Sequence, residues 1–182
     1  MVLEGGQEKL LLDIDNLSVS YRSVLAINKI NISVSGGELV GLIGPNGSGK
    51  STLIRAVSGV ITKDSGDVYL FGEKSESFSQ RQLALRIGVV SQASVLPDDF
   101  TAIEVVLLGR TPNISLLGLE SKLDLQIVKN AMLRTGTWSL ANRKIVELSG
   151  GQRQMVRIAR VLAQESPIVL LDEPTVHLDI NF

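Results

Sequence analysis

Apolar and polar positions alternate early in the chain and gather into short unbroken apolar runs later. Leu10-Leu11-Leu12-Asp13-Ile14 and Leu17-Ser18-Val19-Ser20-Tyr21 read as two strands, the second with period-two alternation. Ile30-Asn31-Ile32-Ser33-Val34 alternates cleanly and stops at Gly36-Gly37, a turn signal. One-faced alternation predicts antiparallel strands with a solvated side, a small β layer. Leu39-Val40-Gly41-Leu42-Ile43 is apolar, the pattern of a buried strand, and Thr52 to Val57 continues as a helix that Gly59 stops. The turn Lys63 to Gly66 precedes a further strand, Asp67 to Gly72. Ser79 to Arg86 reads as a short helix with Ser79 as N-cap. Ile87 to Ser91 is a second core strand, ending on Gln92.

From Ala93 to Pro167 strand signals are few. Thr101 to Leu108 is helix-like, Gly109 to Leu119 a loop, and Glu120 to Thr135 helical, with Leu123, Ile127 and Met132 near one stripe. The clearest helix starts at Ser149. Its apolar face is Met155, Ile158, Ala159 and Leu162, with Arg153, Arg157 and Arg160 largely off it. Ser149 and Gln152 fit a capping box. Ile168-Val169-Leu170-Leu171 is an apolar strand that ends in Asp172-Glu173. The expected organisation is one α/β domain over 1–182, with a core and β layer at 1–92 and 168–182 and a helical insertion at 93–167.

Composition narrows the class without choosing a function. The chain has 182 residues, formal charge −1 and no cysteine. Balanced charge gives no argument for nucleic acid as a partner, and a disulfide framework or thiolate metal site is excluded. No apolar run approaches the roughly 18–20 residues that span a bilayer. Glu4 and Glu8 stand where a signal peptide would carry basic residues. Work at a membrane is therefore expected to go through a partner.

The strongest chemistry lies in Gly44-Pro45-Asn46-Gly47-Ser48-Gly49-Lys50-Ser51-Thr52, a phosphate-loop pattern. Glycines let successive N–H groups point inward at phosphate oxygens. Lys50 can set an ammonium against the outer phosphates, and the Ser51 hydroxyl can join a magnesium shell. The helix that follows adds the positive end of its dipole. The preceding apolar run and the following helix supply the strand–loop–helix context this mechanism needs.

Three other places carry possible chemistry. Leu148-Ser149-Gly150-Gly151-Gln152 places two glycines at a helix start, where N–H groups and a hydroxyl make a second anion site. Asp172 and Glu173 are neighbours after a strand, so they point in opposite directions; one can reach magnesium and the other an attacking water. Gln92 ends a core strand where ligands bind in open α/β sheets, although by itself it reads as an exposed loop residue. Tyr21 either offers a flat face to adenine or fills the sheet edge; spacing does not choose.

In their joint order, these elements resemble the nucleotide-binding subunit of ATP-binding cassette (ABC) transporters, a P-loop NTPase (RecA-like) fold with an antiparallel β subdomain and an inserted helical subdomain. Leu148 to Gln152, followed closely by Leu170-Leu171-Asp172-Glu173-Pro174-Thr175, is the specific part. The resemblance implies ATP and Mg²⁺ as ligands. Tyr21 would stack on adenine, Gly44 to Thr52 with Lys50 would hold the phosphates, and Ser51, Gln92 and Asp172 would serve the metal. Glu173 would be the general base, with Lys50 and Gln92 also catalytic. Ser149, Gly150, Gly151 and Gln152 would contact ATP held by a second copy, and Asp179 would couple the two sites. Implied partners are that second subunit, an integral membrane permease and, indirectly, a substrate-binding protein, at the cytoplasmic face of the membrane.

Thr101-Ala102-Ile103-Glu104-Val105-Val106-Leu107-Leu108-Gly109-Arg110-Thr111-Pro112 looks like the importer ATPases for iron–siderophore, haem or cobalamin. Val176 departs from the commoner asparagine or serine. The family also continues past this point to a histidine that contacts the γ-phosphate. The sole histidine here, His177, comes too early, so the sequence is expected to be a fragment. Two other readings are a soluble ABC ATPase of DNA repair or translation, and a nucleotide-binding module without turnover. The short gap between Gln92 and Ser149 leaves no room for a long coiled-coil arm, which argues against the first.

Overall fold

The computed structural model describes residues 10–22, 24–91, 96–114 and 118–173. The chain forms two compact units, Met1–Leu83 and Ala84–Phe182.

In the first unit β1 (Leu10–Tyr21), β2 (Val24–Ser35), β3 (Ser65–Leu70) and β4 (Glu73–Lys74) form an antiparallel sheet in the order β2-β1-β3-β4. The two strands expected at Leu10–Ile14 and Leu17–Tyr21 are one strand with a bulge. Leu12 and Ile14 are buried, then Leu17 and Val19, so the inward phase flips between Ile14 and Leu17. An extra residue in β1 does this, because strand side chains alternate with period two. Asn16 sits at the bulge with φ 49°, and its N–H donates to Asn31 Oδ1 at 2.8 Å. Across from it Gly66 has φ +84°, and a Cβ there would lie 2.3 Å from Asn16 O. Only glycine fits that approach.

The helix α1 (Lys50–Val57) buries Leu53, Ile54, Ala56 and Val57, as its amphipathic pattern requires. The strand expected at Leu39–Ile43 does not form: Leu39 is 97% exposed and Ile43 100%. An unbroken apolar run marks a strand only when ladder partners lie beside it. Among the described residues of this unit, β1 to β4 pair with one another and none pairs with 39–43. The short helix expected near Ser79 is α2 (Gln80–Ala84), with Ser79 Oγ accepting from Gln82 N at 3.3 Å.

In the second unit β5 (Ile87–Val90) and β6 (Ile168–Leu171) run parallel, Ile87 opposite Ile168 and Val90 opposite Leu171. Between them in sequence come α3 (Ala102–Leu107), α4 (Lys122–Arg134) and α5 (Gly150–Gln164). Their shared core includes Val105, Val106, Val128, Met132, Val156 and Ala159. Two expected faces hold in part: Met132 and Ala159 lie in the core, and Ile127 and Leu162 pack against it. Leu123 is 66% exposed, and besides Met132 α4 buries Asp124, Val128 and Ala131. On α5, Met155, Ile158 and Leu162 are half-buried, while Gln154, Val156, Ala159, Val161 and Ala163 are fully inside. The helix packs against α3, α4 and β5, which covers more than one stripe. In β6, Val169 and Leu171 are exposed although the run is wholly apolar.

Each long helix of this unit starts on a capping box: Thr101 with Glu104, Ser121 with Asp124, Ser149 with Gln152. A single 3-10 turn, Leu108–Arg110, extends α3 where a loop was expected. There Arg110 is 5% exposed and pairs with Asp124 at 2.9 Å. The hydroxyl and N–H of Ser121, reinforced by Arg110, hold the Asp124 carboxyl down to about 2. A carboxyl depressed in the folded state stabilises it fully above the unfolded value of 3.8, and that stabilisation is lost as pH falls toward 2. The expected contribution is about 2 kcal/mol between pH 5 and pH 2. Asp124→Asn should make stability fall less steeply over that range, as read by denaturant unfolding at stepped pH.

Candidate nucleotide-binding site

The phosphate-loop pattern forms a tight turn running directly into α1. Ser48 N donates to Pro45 O at 3.2 Å, and Leu53 N to Gly49 O at 2.8 Å. Gly47 and Gly49 have φ +79° and +96°. A Cβ on Gly49 would lie 2.6 Å from the Ala26 carbonyl, so close backbone approach as well as φ requires glycine there. Lys50 reaches back over the loop, its Nζ donating to the carbonyls of Gly44 and Pro45, each at 2.8 Å. This holds an ammonium beside the curled backbone at the mouth of a helix whose first turn has no acidic residue. Such a curl with a cation and a helix dipole is suited to a polyphosphate. An open cleft of about 510 Å³ adjoins it, lined by Ile30, Leu42, Gly44, Ser48 and Lys50 among others. Thr52 is buried in the first turn of α1. Tyr21, also of the first unit, is exposed at the end of β1 where it pairs with Val24.

The second unit holds the other candidates. The parallel register of β5 and β6 brings their carboxyl ends to one edge: Val90 opposes Leu171, and Asp172 N donates to Val90 O at 2.9 Å. Asp172 is 4% exposed. Glu173 is half-buried and has φ 50°, in the left-handed region that non-glycine residues rarely adopt. The backbone therefore turns sharply between the two carboxylates and gives them different surroundings. Gln92, His177 and Asp179 lie outside the described residues.

At α5 the capping box is reciprocal: Gln152 N donates to Ser149 Oγ at 3.3 Å, and Ser149 N to Gln152 Oε1 at 3.0 Å. Gly150 and Gly151 occupy the first turn, whose N–H groups have no intrahelical acceptor. The donor types suit a magnesium nucleotide. Ser51 on α1 carries a hydroxyl oxygen and Asp172 after β6 a carboxylate, both of them donor types that a hard cation takes. The pairing of Arg110 with Asp124 was not legible in sequence, the two being fourteen residues apart and thus outside helix-pair spacing; only the Ser121-x-x-Asp124 capping pattern was there to be seen.

A glycine-curled loop capping a helix, with mixed α/β architecture and an antiparallel sheet, defines a P-loop nucleotide-binding cassette. The chain belongs to the ABC transporter family, whose model matches residues 27–176. It is 41% identical over 170 residues to the cobalamin import ATP-binding protein BtuD of Halobacterium salinarum, covering 93% of this chain and 42% of that protein. It is 41% identical over 167 residues to the ferric enterobactin transport ATP-binding protein FepC of Escherichia coli, covering 92% and 62%. A solved chain described as a metal-chelate type ABC transporter, in an inward-facing conformation, superposes with TM-score 0.78 at 30% identity. That match covers 94% of this chain and 62% of the other. The chain thus spans 42% to 62% of the curated relatives named. No described helix is long and apolar enough to cross a membrane.

Proposed function

We propose that the chain is the ATP-binding and ATP-hydrolysing part of a subunit that powers import of a metal chelate of the iron–siderophore, haem or cobalamin class. The observation that carries this is the phosphate loop with Lys50 aimed across its mouth, in a chain whose relatives are importer ATP-binding proteins. Residues 1–92 and 168–182 are read as the nucleotide core with its β subdomain, and 93–167 as the helical subdomain.

Gly44 to Thr52 would wrap the phosphates, with Lys50 neutralising the outer ones. Tyr21 would lie under adenine. Ser51, Gln92 and Asp172 would hold magnesium, which when bound offsets charge on the phosphate oxygens. Glu173 would accept a proton from the water that attacks the terminal phosphorus. Ser149 to Gln152 would meet the terminal phosphate of ATP bound to a second copy, with Asp179 linking the two sites. Two copies closing on ATP and reopening after hydrolysis would drive a permease at the cytoplasmic face of the membrane, fed by a substrate-binding protein.

The test compares ATP hydrolysis by the 182-residue chain and by the chain extended through its reading frame. It is coupled to affinity capture of membrane partners. Turnover by the extended chain and capture of an integral membrane permease support the reading. Tight association with DNA or ribosomes instead of a permease, or ATP binding without turnover by either chain, overturns it.

A further inference from the structure

The string Thr101 to Pro112 stands out in sequence, yet its last four residues, Gly109-Arg110-Thr111-Pro112, are not among the nucleotide-site residues proposed above. In the second unit this segment runs against the carboxyl end of α5. A Cβ on Gly109 would fall 2.2 Å from Arg160 O, so the backbones touch. Arg110 Nη1 donates to Ala163 O at 2.7 Å and to Glu165 Oε2 at 2.9 Å, while its Nε donates to Asp124 Oδ1 at 2.9 Å. Asn113 Nδ2 donates to Gln164 O at 3.3 Å.

Helices leave their last four carbonyls without intrahelical donors. On α5, Leu162 O accepts from Glu165 N, and the next two carbonyls are taken by Arg110 and Asn113. A buried guanidinium at the negative end of the helix dipole is favourable, and its planar fork engages Asp124 and Ala163 O together. Gln164 in turn donates to Ile87 O at 2.9 Å, at the start of β5. The short segment thereby joins the start of α4 to the end of α5, and α5 itself bonds to the start of β5 through Gln164.

We propose that Arg110 is a positioning residue for α5: by clamping its carboxyl end to α4, it sets the direction in which the helix presents Ser149 to Gln152 about 22 Å away. This rests on the reading of Ser149 to Gln152 as a phosphate contact. A clamp acting only as a local fastener would affect the last turn of α5; one that sets direction affects the whole helix.

The test is amide hydrogen exchange on the 182-residue chain, with ATP turnover on the chain extended through its reading frame, comparing wild type with Arg110→Met. Exchange should rise roughly tenfold or more along α5, including Arg153 to Arg157, with β1 and β2 unchanged. Turnover at saturating ATP should fall about tenfold to a hundredfold, with ATP affinity unchanged. Arg110→Lys keeps the charge but cannot span Asp124 and Ala163 O together, so it should restore part of both readouts. Should Arg110→Met not fold, Glu165→Ala and Asn113→Ala remove single contacts and should shift both readouts in the same sense. Faster exchange confined to residues 161–165 overturns the proposal. So does unchanged turnover in a variant whose whole α5 has loosened. A wild-type protein without turnover would count against the proposed function, while the exchange pattern would still decide the clamp.

Discussion

Glu173→Gln should lower the rate of ATP hydrolysis by about 10²–10⁴ and leave ATP binding intact. The amide keeps the carboxylate's shape and can hydrogen-bond water, but it cannot take a proton at neutral pH. Geometry sets Glu173 apart from its neighbour. Asp172 is buried and continues the β5–β6 ladder, whereas Glu173 is half-buried on a left-handed turn just beyond it. A left-handed non-glycine residue is strained, and such strain gathers where a side chain must be aimed. Single-turnover hydrolysis and equilibrium nucleotide binding, measured on the extended chain, separate the two effects. Near wild-type turnover would remove Glu173 from the base role; lost binding would show a structural one.

Lys50→Ala should weaken ATP binding by roughly a hundredfold, because truncating one partner of a close charge pair costs several kcal/mol. Lys50 Nζ already lies across the loop mouth, between the carbonyls of Gly44 and Pro45. Moving to a phosphate exchanges neutral acceptors for charged ones, which strengthens each hydrogen bond. Lys50→Arg tests geometry rather than charge, since the planar guanidinium is too broad for a cradle built around a point cation. Fluorescent-nucleotide titration distinguishes these variants. Unchanged affinity in Lys50→Ala would exclude a phosphate role for the loop.

The glycine loop and the helix cap were readable in sequence because their geometry depends on local patterns. Glycine spacing, a following lysine and a Ser-x-x-Gln cap each work within one turn of chain, and Gly47, Gly49, Ser149 and Gln152 take the local geometries those patterns ask for. Burial was less readable. Leu39 to Ile43 has the pattern of a core strand but is exposed, because pairing is supplied by other segments. Leu123 fits an apolar stripe yet faces solvent, while Asp124 is buried because Ser121 and Arg110 satisfy its oxygens.

By itself, then, the sequence determined the helix starts, the alternating sheet and the phosphate loop, all set by interactions within a few residues. Tertiary structure alone decided three other things: where β1 bulges, which faces of α4 and α5 lie inside, and that Arg110 joins them. The reason is reach: caps and turns close over one turn of chain, whereas a buried ion pair between residues 110 and 124, or contact of residue 110 with 163, exists only once packing has excluded water.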